Sequence, residues 1–161
     1  MPTEISAVTV RSDGVLLRPW AAADVEQIAE VCADPLIALW NPMNVASAVE
    51  WCAARADWRD GSHASWAIVE PTSPELVLGS VSLFHIDADQ KCAEIGFWVA
   101  SAHRRRAVGR RGVQAATTFA FGELALRRVV LFHAVDNVGS CGVARRASCQ
   151  ALAALVGWLR P

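Results

Sequence analysis

The chain contains no tyrosine among its 161 residues. Any step in which a phenol would donate a proton therefore falls to some other residue. Charge is also scarce: 19% of residues are charged and the net charge is −1. No whole-protein field of the kind that attracts nucleic acid is expected. No C-x-x-C pair joins the five cysteines, Cys32, Cys52, Cys92, Cys141 and Cys149. Their odd number suits reduced thiols in a cytoplasm, most of them small core residues, better than a disulfide framework. The four histidines, His63, His85, His103 and His133, lack metal-ligand spacing, which argues against a zinc site. No apolar run reaches the length of a membrane span. The opening MPTEISAVTVRSDG carries an acid and no continuous apolar core, so neither a signal peptide nor an anchor is expected there.

What is present is apolar and ordered. With 53% hydrophobic residues and no low-complexity tract, residues 1–161 read as a single globular domain able to bury a real core. Leu16 to Arg18 reads as a first strand closed by Pro19, followed by a helix from an N-cap at Asp24 with Val25, Ile28, Ala29 and Cys32 on one face. Asp34-Pro35 is expected to end it. A second helix starts at Ser47, where Ser47 and Glu50 suggest a capping box, with Val49, Cys52, Ala53 and Ala56 on one side and Trp51 and Trp58 on another. Ser65 to Glu70, Leu76 to Ile86 and Ala93 to Val99 read as strands joined by PTSPE and DADQK, an antiparallel meander. RRVVLFHAV at 127–135 is a β-branched strand reached through a helix, which implies a parallel crossover beside 93–99. Asp136 to Gly139 turns the chain, and Ser140 opens a short helix.

The richest segment is AEIGFWVASAHRRRAVGRRGV at 93–113, where a strand passes through five arginines into a helix. Val113, Ala116, Thr117, Ala120, Phe121 and Leu124 follow i, i+3, i+4, i+7 spacing and place the helix start near Arg110. The first-turn N–H groups of a helix lack intrahelical acceptors and lie at the positive end of its dipole, so small residues at Ala107 and Gly109 would let an anion approach them. Arginines on the same loop add donors for a pyrophosphate. A solvated basic loop before an ordinary helix is the alternative.

The order of these elements, with L-L-R-P-W at 16–20, A-E-I-G-F-W-V-A at 93–100 and A-V-D-N-V-G-S-C-G-V-A-R-R-A at 134–147, resembles the GNAT superfamily of acyl-CoA N-acyltransferases. The wording is most similar to RimJ/RimL-type ribosomal-protein N-terminal acetyltransferases, over about residues 10–148. The resemblance implies an α/β (α+β) fold: a mixed, mostly antiparallel central sheet with splayed parallel strands 93–99 and 128–135 and helices on both faces. It also implies acetyl-CoA as acyl donor, no metal, and a primary amine as acceptor, either a protein N-terminus or a small molecule. The family's Q/R-x-x-G-x-G/A pyrophosphate motif falls on Arg104, Ala107 and Gly109, with Arg105, Val108 and Arg110 in the same loop and helix turn. Its first glycine is replaced here by Ala107, and Arg105 stands where relatives often have glycine. Gly112 sits where a helix former is expected.

By the same resemblance, backbone groups of Trp98 and Val99 would bind pantetheine as a pseudo-strand, the Val99 N–H would polarise the acetyl carbonyl, and Asn137 would help hold CoA. Ser140 stands where RimL-like enzymes place a serine near the thiol; Asn137 as a turn residue and Ser140 as a helix N-cap are the structural alternatives. Glu94, in an otherwise apolar strand, is the base candidate, directly or through a water, and an exposed strand residue is its alternative. Trp40, Asn41, Pro42, Met43, Trp51, Trp58 and Trp66 either line an acceptor cleft or fill the core. The family's seventh strand is expected to be missing after SCQALAALVGWLRP, leaving the edge of strand 128–135 to the chain's own tail or to a two-fold dimer. A CoA-binding module of weak or no activity is the competing function. A nucleic-acid domain built on Arg104 to Arg111 is disfavoured by the charge balance, and no membrane association is expected.

Overall fold

A computed structural model describes residues 4–43, 47–134 and 136–147. The described strands form a sheet in chain order, β1 (Val10–Ser12), β2 (Val15–Pro19), β3 (Ala64–Val69), β4 (Gly79–Asp87), β5 (Cys92–Val99) and β6 (Arg128–Leu131). All neighbours are antiparallel except β5 and β6, which are parallel as the helical crossover requires. The meander expected from the turn-rich connections is present.

Side-chain alternation divides the core in two. On one face Leu17, Trp66, Ile68, Val81, Leu83 and Ile95 meet α4 (Val108–Gly122) through Val113, Ala116, Phe119 and Ala120. Trp66 lies edge-on to both Trp58 and Phe119, at centroid distances of 4.9 and 5.2 Å. On the other face Leu16, Trp20, Ala67, Val69 and Trp98 pack with Ile28 and Val31 of α1 (Val25–Cys32), Ile37 of α2 (Pro35–Trp40), and Trp51 and Cys52 of α3 (Ala48–Ala56). β3, covered on both faces, is buried at every position.

The differences from the sequence reading have local causes. Asp24 does not cap α1 with its side chain: a 3-10 turn precedes that helix, and the buried carboxylate takes two bonds from Arg18 at 2.7 and 2.8 Å and one from the Ala21 N–H. Asp34-Pro35 does not merely end α1 but begins α2, the aspartate accepting from the Leu36 and Ile37 N–H groups with proline in the first turn. On α3, Val49 and Ala53 face solvent while Trp51 and Cys52 are buried, because the helix turns its indole toward Trp20. Ser47 does cap α3, accepting from the Glu50 N–H at 3.2 Å. α4 starts at Val108, two residues before Arg110, and presents Phe119 rather than the half-exposed Phe121 to the core. β6 ends at Leu131, so the expected strand to 135 is cut short where it leaves β5. The expectations for residues 148–161 lie outside the described residues.

Candidate active site

The parallel pairing of β5 and β6 runs from Cys92↔Arg128 to Ile95↔Leu131 and stops. Beyond it the edge of β5 from Gly96 to Val99 has no strand partner on the β6 side among the described residues. Two cavities line this parting. The larger, about 580 Å³, is bounded by α2, Phe97 to Val99, the loop from His103 to Ala107, the first turn of α4 and α5 (Val138–Arg146). The smaller, about 340 Å³, is bounded by Leu39 to Pro42, Ile95 to Phe97 and Leu131 to Ala134. They share Trp40, Asn41, Phe97, Asn137 and Ser140, which makes them one slot along the splay. The parting begins after Ile95, so Trp98 and Val99 stand well inside its open part and line the larger cavity.

The arginine loop divides its labour. Arg104 Nη2 is 2.8 Å from Asp34 Oδ2 and its Nε donates to the Val99 carbonyl at 3.2 Å, so it ties the start of α2 to the end of β5. Burial alone would raise the Asp34 pKa, but the Ile37 and Leu36 N–H bonds and the Arg104 charge outweigh it and hold the carboxyl below its ordinary value. Arg106 pairs with Glu70 at 3.0 Å. Arg105, Arg110 and Arg146 line the larger cavity with no carboxylate partner among the described residues. The anion-binding capacity thus falls to these three and to the opening turn of α4, where Ala107, Val108, Gly109 and Arg110 all line the cavity.

Two non-glycine residues in this loop occupy the left-handed region, Arg105 at φ 62 and Ala107 at φ 59. This conformation costs a non-glycine residue about 1–2 kcal/mol, partly offset by the entropy that glycine loses on folding. Arg105→Gly and Ala107→Gly are each expected to stabilise the fold by about 0.5–1 kcal/mol, read as a rise in melting temperature; unchanged melting would contradict the loop geometry. Gly109 has a packing reason as well as an access one: a Cβ there would lie 3.0 Å from Phe97 Cε2 and 3.3 Å from Val99 Cγ2.

Asn137, not Ser140, caps α5, its Oδ1 accepting from the Ser140 N–H at 3.0 Å. The reason is position: Ser140 is the third residue of the helix, leaving its hydroxyl outside the capping role and on the slot. Glu94 lines neither cavity. A register irregularity in β4 puts His85 at φ 46, and its Nδ1 lies 3.2 Å from Glu94 Oε1, with both side chains substantially exposed. The apolar surroundings expected for Glu94 are replaced by that wet pair. It nevertheless shares a strand face with Gly96, two residues nearer the smaller cavity.

Of the aromatic-rich set, Trp40, Asn41 and Pro42 line the slot, whereas Trp51, Trp58 and Trp66 are core and Met43 packs against it. Leu36, Ile37, His103, Asp136 and Arg146 also line the larger cavity and escaped the sequence reading. For α2 the missed signal was an N-cap aspartate followed by proline, which starts a helix as readily as Asp-Pro ends one. No group of three or more potential metal ligands occurs among the described residues. No described helix is long and apolar enough to cross a membrane, and Cys32, Cys52, Cys92 and Cys141 are free thiols.

The site thus lies where the parallel strands of a mixed sheet part in front of the N-terminus of α4. The chain belongs to the GNAT acetyltransferase family, whose domain model matches residues 15–150. It is 35% identical over 68 residues to a candidate ribosomal N-acetyltransferase, YdaF, of Bacillus subtilis (strain 168), a match spanning 42% of this chain and 37% of that protein's length. Among solved structures it is similar to RimL, a ribosomal L7/L12 alpha-N-protein acetyltransferase in complex with coenzyme A (TM-score 0.75, 21% identity, 87% of this chain and 82% of that one). It is also similar to the spermidine N-acetyltransferase of Vibrio cholerae in complex with CoA and spermine (TM-score 0.71, 18% identity, 84% and 80% covered). At these identities the structural likeness is one of fold.

Proposed function

We propose that this protein is an acetyl-CoA-dependent N-acetyltransferase acting on a primary amine, a protein N-terminus or a small-molecule amine. The observation that carries the reading is the slot itself, an open strand edge with an arginine-rich helix N-terminus at one end and a second cavity at the other. The CoA pyrophosphate sits on the first turn of α4, held by the N–H groups of Val108, Gly109 and Arg110 and by the Arg105 and Arg110 guanidinium groups, with Ala107 leaving room. Arg104 contributes at one remove, by holding α2 against Val99. Pantetheine amides pair with the free edge of β5 at Trp98 and Val99, and Asn137 borders the same path. The thioester then lies toward the smaller cavity, where a β5 N–H polarises its carbonyl and the Ser140 hydroxyl donates to the departing sulfur. Glu94 takes the first proton of the incoming ammonium through water and releases it on its solvent side.

Glu94→Gln is expected to lower kcat by about tenfold to a hundredfold with CoA affinity unchanged, because a base acts in the chemical step. Equal turnover at saturating substrate would remove Glu94 from the reaction. Thiol release from acetyl-CoA, measured with peptides bearing free N-termini and with polyamines, tests the activity as a whole. The second reading, a CoA-binding module of weak or no turnover, draws on the left-handed backbone of Arg105 and Ala107 in the phosphate loop and is selected by CoA binding without thiol release. The edge of β6, without a strand partner among the described residues and with Phe132 half exposed beyond it, supports a two-fold dimer, and the free thiols of Cys32, Cys52, Cys92 and Cys141 support a reducing cytoplasm.

A further inference from the structure

We infer that His133 is a proton-transfer residue of the acyl-transfer step, carrying one proton from the attacking nitrogen to the departing CoA sulfur. The inference rests on the acetyltransferase reading above and adds a group which that reading does not contain. The smaller cavity opens where β5 and β6 stop pairing at Ile95 and Leu131, and His133 lines it two residues further along the departing chain, together with Ser140. Among the described residues lining this cavity, His133 has the sole acid–base side chain; the others are apolar, indole, amide or hydroxyl. Asp136, Arg110 and Arg146 line only the adjoining larger cavity, and Glu94 lines neither.

The half-buried ring is already committed to one tautomer. His133 Nδ1 lies 2.9 Å from the Ala134 carbonyl oxygen, which can only accept, so Nδ1 carries the hydrogen and, in the neutral ring, Nε2 holds the lone pair. An imidazole oriented through one nitrogen is free to exchange a proton through the other, the arrangement that general acid–base catalysis uses. The chain has no tyrosine to serve as a phenolic proton donor there.

The protons balance. An ammonium loses two on becoming an amide, and the first leaves before attack by way of water and Glu94. The second is shed as the amine lone pair forms the C–N bond and the thioester carbonyl becomes tetrahedral, and Nε2 takes it. When the C–S bond breaks, its electron pair goes to sulfur and the imidazolium returns the proton there, leaving the amide, CoA thiol and neutral His133. Ser140 supplies a hydrogen bond to the sulfur and no net proton.

Calorimetry and proton NMR with CoA and with desulfo-CoA test this without an acceptor. The His133 imidazole signal, assigned by its disappearance in His133→Gln, is expected to move with CoA and to move differently with desulfo-CoA, which lacks only the sulfur. Identical shifts with both ligands overturn the inference alone; absence of CoA binding in the wild type overturns the acetyltransferase reading and this inference with it. With any amine that the wild type acetylates, His133→Ala is expected to lower kcat by about a hundredfold while KM for acetyl-CoA changes by less than about twofold and melting is unchanged. Added imidazole is expected to restore part of the lost rate. An undiminished kcat, or a loss that imidazole does not relieve, overturns it.

Discussion

Arg105→Glu combined with Arg110→Glu is expected to weaken CoA binding by at least about a hundredfold. Each arginine lines the larger cavity without a carboxylate partner among the described residues, so its guanidinium is available to a phosphate. A hydrogen bond to a charged group is worth about 1.5–3 kcal/mol, so losing two removes about 3–6 kcal/mol, or two to four orders of magnitude in affinity. The reversed charges add repulsion that weakens with salt. Arg106→Ala is the matched control, because its guanidinium is engaged by Glu70 at 3.0 Å and does not line the cavity. Its CoA affinity is expected to stay within about threefold of the wild type, since an exposed pair of this kind contributes less than about 1 kcal/mol. Calorimetry that finds equal affinity in the double variant would remove the loop from the cofactor site.

Gly79→Ala is expected to be the most damaging single methyl in the described fold. Its Cβ would lie 2.4 Å from the Trp98 carbonyl oxygen and 3.2 Å from Val99 Cα, both backbone atoms with no rotamer to turn. Trp98 cannot retreat easily, because its ring is 6.1 Å from that of Trp20 and 6.4 Å from that of Trp51. Relief requires β4 and β5 to separate where Gly79 faces Val99. Overpacking of this kind costs about 1–3 kcal/mol or more, which for a domain of this size lowers melting by roughly 3–12 °C. The same displacement moves the Trp98–Val99 edge, so CoA affinity is expected to fall with stability. An unchanged melting temperature would contradict the close approach of the two strands. Gly112→Ala is the milder comparison: its nearest neighbour is Ile68 Cδ1, the end of a side chain, and the added methyl also raises helix propensity by about 1 kcal/mol.

The sequence by itself determined the antiparallel meander of β3 to β5 and the parallel return after α4, because period-2 and period-3.6 patterns and the turn residues between them are local properties, and its motifs carried the resemblance to the family; β1 and the pairing of β2 with β1 and β3 came only from the structure. It also determined that an arginine-rich loop of small residues precedes a helix. Only the tertiary structure decided which arginines in that loop are free, since the carboxylates that engage Arg104 and Arg106 come from Asp34 and Glu70, 70 and 36 residues away. Gly109 and Gly112 looked like matters of anion access and helix cost; close packing against Phe97 and Ile68 supplies a second reason that no local pattern contains. Glu94 stood out because its neighbours in sequence are apolar, yet the irregularity in β4 sets exposed His85 beside it and leaves it outside the slot. His133 was one scattered histidine until β5 and β6 parted and put it on a shared cavity with Ser140. Periodicity along a chain reports which face of an element is buried; which side chains from distant elements meet is set by strand pairing and by where that pairing ends.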